Sequence, residues 1–154
     1  METDSLISPD NVIAKLNATS KKQILRELSR RAAAITGETE RAIFEVLMER
    51  ERLGTTGVGN GIAIPHGKLQ SLQKIHGVFA RLETPVDYQS IDEQPVDLIF
   101  LILAPETAGA DHLKALARIS RILRNSTICK TLRSSDTVDS LYKVITESIN
   151  SELT

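Results

Sequence analysis

Apolar residues in the first third of the chain recur every three or four positions, the spacing of a helix with one buried face. The first run follows Ser20 and Gln23, a pair typical of a helix N-terminus, and it stops at Gly37. A second run covers residues 38–52 and stops at Gly54. This spacing predicts two consecutive helices. Their apolar positions are Ile24, Leu25, Leu28, Ala32 and Ile35 in the first helix and Ile43, Phe44, Leu47 and Met48 in the second.

An earlier helix start is predicted near the beginning of the chain. Ser8 is a favourable cap, Pro9 suits a first helical turn, and Asp10 adds a carboxylate to that turn. A short apolar run follows these residues. It consists of Val12, Ile13 and Leu16. We therefore expect a short helix over this stretch.

The middle of the chain changes to short runs rich in β-branched residues between turn signals, a pattern typical of strands. These runs cover residues 62–65, 76–82 and 96–103. The last of them, in "PVDLIFLILAPE", is apolar at nearly every position, as expected of a central strand with helices on both faces. The polar connection "LETPVDYQSIDEQ" can hold a short edge strand. The fold class predicted is therefore α/β.

Helical spacing returns in the last third of the chain. Asp111 can cap a helix, and a further helix follows close to the C-terminus. The predicted apolar stripes are Leu113, Leu116, Ala117, Ser120 and Leu123 in the first of these helices and Val138, Leu141, Tyr142, Ile145 and Ile149 in the second. Neither an internal repeat nor a linker interrupts the chain, so we expect one domain.

Composition narrows the function classes. The 154 residues are 41% hydrophobic and 25% charged, as in a globular domain. The chain carries neither a secretory signal pattern nor a run of roughly 18 apolar residues, so we expect a cytoplasmic protein without membrane insertion. The single cysteine, Cys129, excludes an internal disulfide. A net charge of -1 and the absence of Trp argue against a nucleic acid partner.

The densest cluster of glycines lies in "GTTGVGNGIAIPHGK", residues 54–68. Such loops bring backbone N–H groups close to anions, and the histidine beyond it, His66, is a nucleophile when unprotonated near neutral pH. Donors for a bound anion are predicted within the loop. These candidates are Thr56, Gly59, Asn60 and Gly61.

A nucleotide-binding loop does not fit this stretch. A dinucleotide fingerprint that begins at Gly57 needs glycine or alanine where Ile62 stands, and it runs from strand to helix. Gly67-Lys68 is followed by Leu69 and not by the Ser or Thr of a P-loop.

A metal site is not favoured either. His66, His76 and His112 could in principle meet, but no pair has ligand spacing within one helix and no cysteine cluster supports them. We therefore predict neither a metal nor another cofactor. His76 is interpreted as a structural or surface residue of its strand.

Four stretches together resemble a known family. They are "RERLGTTGVGNGIAIPHGK", "GVFARLETPVDY", "QPVDLIFLILAP" and the "DHLKALARIS" that follows. They resemble enzyme IIA of the bacterial phosphotransferase system, mannitol/fructose class, and in particular the nitrogen-related enzyme IIA. The resemblance covers residues 5–149, expected as one enzyme IIA domain. It implies a mixed sheet of about five strands with helices on both faces.

The resemblance also implies a function. His66 matches the phosphorylated histidine, His112 the second active-site histidine and Arg50 the nearby arginine. A protein of this kind is a histidine phosphoryl carrier that accepts the group from a phosphohistidine on an HPr-like protein. Nitrogen-related members resemble regulators, with partners such as potassium transporters or sensor kinases. The alternative is a fructose- or mannitol-specific enzyme IIA that passes the group to a IIB domain.

Read without the family, these residues have ordinary explanations as well. His66 can be a packed turn residue, His112 a first-turn surface residue and Arg50 part of a solvated helix end. The late helices are also locally basic, which is typical of a solvated face and less often of a docking surface. Their basic residues are Arg118, Arg121, Arg124, Lys130 and Arg133.

Overall fold

The computed structural model describes residues 6–153, and in them one sheet is flanked by helices. The helices are α1 (Lys21–Thr36), α2 (Glu40–Leu53), α3 (Ala110–Arg124), α4 (Ser126–Ser134) and α5 (Val138–Leu153). The strands are β1 (Val12–Leu16), β2 (Gly57–Gly59), β3 (Ile62–Ala63), β4 (His66–Leu69), β5 (His76–Val86) and β6 (Val96–Pro105). A single 3-10 turn, Pro9–Asn11, precedes β1. No helix of this described part is long and apolar enough to span a bilayer.

The sheet is mixed, and β6 lies at its centre. The strand order is β1-β5-β6-β3-β2, with β5 antiparallel to β6. Both β3 and β4 run parallel to β6 along the same edge, one after the other, with Ile62 opposite Leu98 and His66 opposite Ile102. The predicted fold class, a mixed α/β sheet with helices on both faces, is confirmed, with six strands instead of about five.

Helices cover both faces of the central strand, as its unbroken apolar run predicted. On one face, Ile99, Leu101 and Leu103 join the core formed with α1 and α2. On the other face, Leu98, Phe100 and Ile102 join the core formed with α3, α4 and α5. Successive residues of a strand point to opposite faces, so the apolar side chains from Leu98 to Leu103 alternate between the two cores.

The two helices predicted before residue 54 are confirmed, because their ends are set by local contacts. The backbone N–H of Gln23 donates to Oγ of Ser20 at 3.1 Å, and Gly37 ends α1 with a left-handed φ of 82°. The N–H of Ala42 donates to Oγ1 of Thr39 at 3.1 Å, which caps α2.

The helix predicted from Ser8 is wrong. Its start signals form only the 3-10 turn, in which the Asn11 side chain donates to the carbonyl of Gly77 at 2.7 Å. The next residues form β1, which pairs in parallel with β5, Val12 lying opposite Phe79. Pairing with a strand more than 60 positions away in sequence thus prevails over a local helix signal.

The helix predicted at Asp111 is α3, but its cap and its buried face differ from the prediction. Gly109 is the N-cap, and Asp111 lies in the first turn. Leu113, placed on the predicted apolar stripe, is 66% exposed. The buried residues of α3 are His112, Ala115, Ile119, Ile122 and Leu123.

Short elements account for the other differences. β2, β4 and α4 are too short or too polar to show a period, and none of them was predicted. The possible edge strand in the polar connection is not formed; β5 instead extends to Val86, and residues 87–95 are irregular.

Candidate functional site

His66 is the first residue of β4 and lies against the central strand. The carbonyl of the preceding Pro65 accepts a hydrogen bond from the N–H of Ile102 at 3.0 Å. The next residue, Gly67, packs directly on α2, because a Cβ added there would lie 2.4 Å from Cγ1 of Val46. These contacts hold the partly buried His66 ring between the sheet and α2.

Two hydrogen bonds determine which ring nitrogen of His66 carries the proton. Nδ1 lies 2.9 Å from the carbonyl oxygen of Ile64, which can only accept. Nε of Arg50 donates to Nε2 of His66 at 3.3 Å, and a guanidinium can only donate. Nδ1 therefore holds the proton and Nε2 presents its lone pair. Arg50 itself is anchored by a second bond, from Nη1 to the carbonyl of Gly54 at 2.8 Å.

The second histidine, His112, lies beside the first. It occupies the first turn of α3, which begins soon after β6 ends, and its ring centroid is 5.7 Å from that of His66. The His112 side chain is buried, and among the described residues its Nδ1 has no hydrogen-bond partner. The three residues predicted for the site, His66, His112 and Arg50, are thus brought together.

The surroundings favour neutral imidazoles. Burial lowers the pKa of His66; the Ile64 carbonyl opposes this shift, the Arg50 charge adds to it, and Glu51 opposes it. Burial likewise lowers the pKa of His112, and His66 and Lys68 lower it further. Both rings are therefore uncharged at neutral pH.

Thr56 does not point toward the histidines. Its N–H donates to Oε1 of Glu51 at 3.0 Å, and its hydroxyl contacts both Oε2 of Glu51 and the Tyr88 hydroxyl. Lys21 pairs with Glu51 at 2.6 Å, and burial with the Glu51 charge raises the pKa of Tyr88. This buried cluster holds the loop after α2 against the helix next to Arg50. Our sequence reasoning missed it, because its members lie far apart in the chain and form no motif.

Gly59, Asn60 and Gly61 form the turn between β2 and β3, all with positive φ. The N–H of Asn60 donates to Oδ2 of Asp92 at 2.9 Å, and its carbonyl accepts from Arg133 at 2.8 Å. These contacts fix the turn to neighbouring loops and helices.

The strand register separates this turn from His66. β3 pairs with β6 at Leu98, whereas His66 pairs with it at Ile102, four positions or about 13 Å farther along. The turn precedes Ile62 and therefore lies farther away still. The structure does not bring the glycine turn to the histidine pair.

His76 is separated from the pair by the central strand. It is the first residue of β5 and lies opposite Leu103, on the other side of β6 from β4. Burial lowers the pKa of His76, and the Lys74 charge adds to this shift. In the range 6–153, no group of three or more His, Cys, Asp or Glu side chains is close enough to hold a metal ion.

The contact between Gly67 and Val46 can be tested by stability. We expect Gly67→Ala to lower the free energy of unfolding by about 1–3 kcal/mol, because the new methyl group overlaps Val46 unless β4 moves away from α2. Urea denaturation measures this. Val46→Ala makes room, so Gly67→Ala should cost less in that background than alone. A fully stable Gly67→Ala protein would contradict the contact.

Fold and site together define a class of protein: a small α/β domain with two neutral histidines and an arginine at one edge of a mixed sheet. The family model of the phosphoenolpyruvate-dependent sugar phosphotransferase system, EIIA 2, matches residues 5–148. The chain belongs to this family.

Similar proteins narrow the assignment. A protein of Bradyrhizobium diazoefficiens named "Nitrogen regulatory protein" is 57% identical over 145 residues, which cover 94% of this chain and 95% of the relative. The crystal structure of nitrogen regulatory protein IIA-Ntr from Neisseria meningitidis matches with a TM-score of 0.87 and 29% identity, covering 93% of this chain and 97% of that one. The IIA mannitol structure from Escherichia coli shares the fold, with a TM-score of 0.76 and 20% identity over 90% of this chain and 98% of that one. The chain is thus similar to the nitrogen-related branch, and its homologues support a phosphocarrier role.

Proposed function

We propose that this chain is a histidine phosphoryl carrier in which Nε2 of His66 accepts the group from a phosphohistidine of an HPr-like protein. The observation that carries this proposal is the pair of hydrogen bonds made by the two ring nitrogens of His66. Nδ1 donates to the Ile64 carbonyl, so the lone pair on Nε2 is free to attack once Arg50 releases it. Family likeness supports the same residue as the acceptor.

The transfer step exchanges one P–N bond for another. The Nε2 lone pair attacks phosphorus in line, the P–N bond to the donor histidine breaks, and the donor nitrogen leaves with the electron pair. The Nδ1 proton of His66 stays on its ring, where the Ile64 carbonyl stabilises the positive charge that the ring acquires. Arg50 then donates to a phosphoryl oxygen in place of Nε2.

His112 assists this step without carrying the group. An N–H on its buried Nδ1 would lack an acceptor, so the proton resides on Nε2. A neutral ring 5.7 Å from His66 can then donate that N–H to a phosphoryl oxygen shared between the two histidines.

The phosphorylated state is proposed to act as a regulatory signal. A phosphoryl group adds about -1.5 to -2 charge at the His66 edge, enough to change which proteins dock there. The name of the Bradyrhizobium relative supports a regulatory role. Partners such as potassium transporters or sensor kinases follow from the resemblance to nitrogen-related members. The second candidate is sugar-specific transfer to a IIB domain, which the fold shared with the mannitol protein favours.

The proposal is tested with phosphoenolpyruvate, enzyme I and the HPr-like protein, followed by intact-mass measurement. We expect the mass of one added phosphoryl group, in an acid-labile and base-stable linkage. Unmodified protein under conditions that phosphorylate a known enzyme IIA would refute the carrier role. The phosphorylated chain is then mixed with fructose- and mannitol-type IIB domains; rapid loss of the group to either one would favour the sugar-specific alternative.

The rate of phosphoryl acceptance should depend on pH in a defined direction. Burial and Arg50 lower the pKa of His66 from 6.5. The neutral, nucleophilic form of the ring therefore predominates at pH 6.5 and at every higher pH. We therefore expect the rate to fall as the pH drops through an apparent pKa below 6.5 and to be flat above it.

The same titration can be followed by NMR of the His66 ring. Arg50→Gln should raise this pKa, since one of the charges that lower it is removed. Arg52→Gln, an exposed change two residues away, should leave it unchanged. A His66 pKa at or above 6.5 in the unaltered protein would contradict the proposed electrostatics.

A further inference from the structure

A cavity of about 510 Å³ opens beside the first half of α3, and neither His66 nor His112 lines it. Its walls come from the segment 73–75, from Pro105, Thr107 and Ala108, and from Asp111, Lys114 and Arg118. This volume lies within the range of small-molecule sites, about 300–1,000 Å³. The cavity is therefore large enough for a metabolite-sized ligand.

Charge in the cavity is strongly unbalanced. Three cationic side chains, Lys74, Lys114 and Arg118, face a single carboxylate, Asp111. None of the ion pairs found within residues 6–153 involves any of these three cations. The local charge is thus about +2 at neutral pH, which suits a dianion.

Arg118 supplies an independent observation. Its Nε and Nη1 are buried, yet no acceptor among the described residues takes a hydrogen bond from either. Buried N–H groups without acceptors are rare and cost free energy. Arg118 lines the cavity, and an anion bound there would offer acceptors to these groups in the paired geometry that guanidinium favours with phosphate. Arg118 thus differs from Arg124 of the same helix, which is exposed and does not line the cavity.

We propose that this cavity binds a small organic phosphate monoester, with the dianionic phosphate held by Arg118, Lys114 and Lys74. The apolar walls at Ile75 and Pro105 face the organic part of the ligand, and Thr107 offers a hydroxyl for a hydrogen bond. This site does not depend on phosphorylation of His66, so it stands or falls separately from the carrier function.

The test is an NMR titration of the full-length, isotope-labelled protein with glycerol 3-phosphate at neutral pH. We expect saturable shifts of the Ala108 and Lys114 amides, with smaller changes at Gly67 beside His66. Glycerol, which lacks the phosphate, should cause none of them. Malonate serves as a dicarboxylate of similar charge and should bind more weakly, because a tetrahedral phosphate accepts from three cations at once.

Variants separate this cavity from general surface charge. Arg118→Met should weaken binding about tenfold or more, since hydrogen bonds between charged groups are stronger than those between neutral ones. Arg124→Met removes the same charge from an exposed position of the same helix, outside the cavity, and should leave the affinity unchanged. Arg118→Lys keeps the positive charge but not the paired N–H donors of the guanidinium, and it should bind glycerol 3-phosphate with intermediate affinity. Such binding would also show that changing residue 118 does not unfold the protein.

Three results would overturn the proposal. The first is shifts confined to the surroundings of His66 and His112, which would mean that phosphate binds only at the histidine pair. The second is equal affinity of the Arg118→Met and Arg124→Met proteins. The third is binding of malonate as tight as that of glycerol 3-phosphate, which would refute the phosphate class of ligand.

Discussion

His66→Ala is expected to abolish phosphoryl acceptance from the HPr-like donor. The variant lacks Nε2 of His66, the nitrogen that carries a lone pair and no proton. His112 does not replace it, because its unprotonated nitrogen, Nδ1, is buried and its Nε2 carries the proton. Intact-mass measurement after incubation with the full donor system should show no added phosphoryl group.

Controls must show that the loss is chemical and not structural. His66 is partly buried, and among residues 6–153 its ring forms hydrogen bonds only with Ile64 and Arg50. We therefore expect the unfolding midpoint of His66→Ala to stay close to that of the unaltered protein. His66→Gln preserves size and polarity but has no nucleophilic nitrogen, and it should recover no activity. Labelling of His66→Ala at the normal rate would assign the carrier role to His112 or His76 instead.

The helices were the part of the fold most accessible from sequence, since their signals are local. Ser20 and Gly37 mark the two ends of α1 through contacts with residues no more than four positions away. In α5, the predicted apolar spacing matches the buried residues Leu141, Ile145 and Ile149. In α3 the same spacing predicted the wrong face. Leu113 is exposed and His112 buried, because the helix packs its histidine toward β4 and a hydropathy pattern ranks leucine above histidine as a core residue.

The strands were harder to predict, because each forms by pairing with another strand that the sequence does not identify. β1 was predicted as helix because the helix-start signals Ser8, Pro9 and Asp10 precede it. Its conformation is instead set by pairing with β5. β4, "HGKL", was not predicted at all, although it carries His66, because its backbone pairs with β6 while most of its side chains are polar or absent.

For the site, the family resemblance identified residues that the structure brings together, but not how they are held. The Ile64 carbonyl that orients His66, the Gly67 contact with Val46 and the buried Glu51 cluster all depend on three-dimensional packing. The position of the glycine-rich turn depends on packing as well. Glycine density indicates turns, but only the register along β6 shows that the β2–β3 turn is more than about 13 Å from His66.

His112→Ala should slow transfer from the donor by roughly 10²–10³, the effect of losing one preorganised hydrogen-bond donor to the transition state, about 2.7–4 kcal/mol. The final phosphorylated yield with excess donor should fall less, because His66 still accepts the group. Rapid-quench kinetics separate the rate from the yield.

Because His112 is buried, His112→Ala could slow transfer by loosening α3 instead of by removing a hydrogen-bond donor, and both causes have to be tested. Ile119→Val, a buried change on the same helix, should cost about 0.5–1.5 kcal/mol of stability and leave the transfer rate unaltered. His112→Gln retains a donor of similar reach and should recover part of the rate. If His112→Ala and His112→Gln both transfer at nearly the normal rate, His112 does not stabilise the transition state. If Ile119→Val is as slow as His112→Ala, the effect comes from loosening α3 and not from the imidazole.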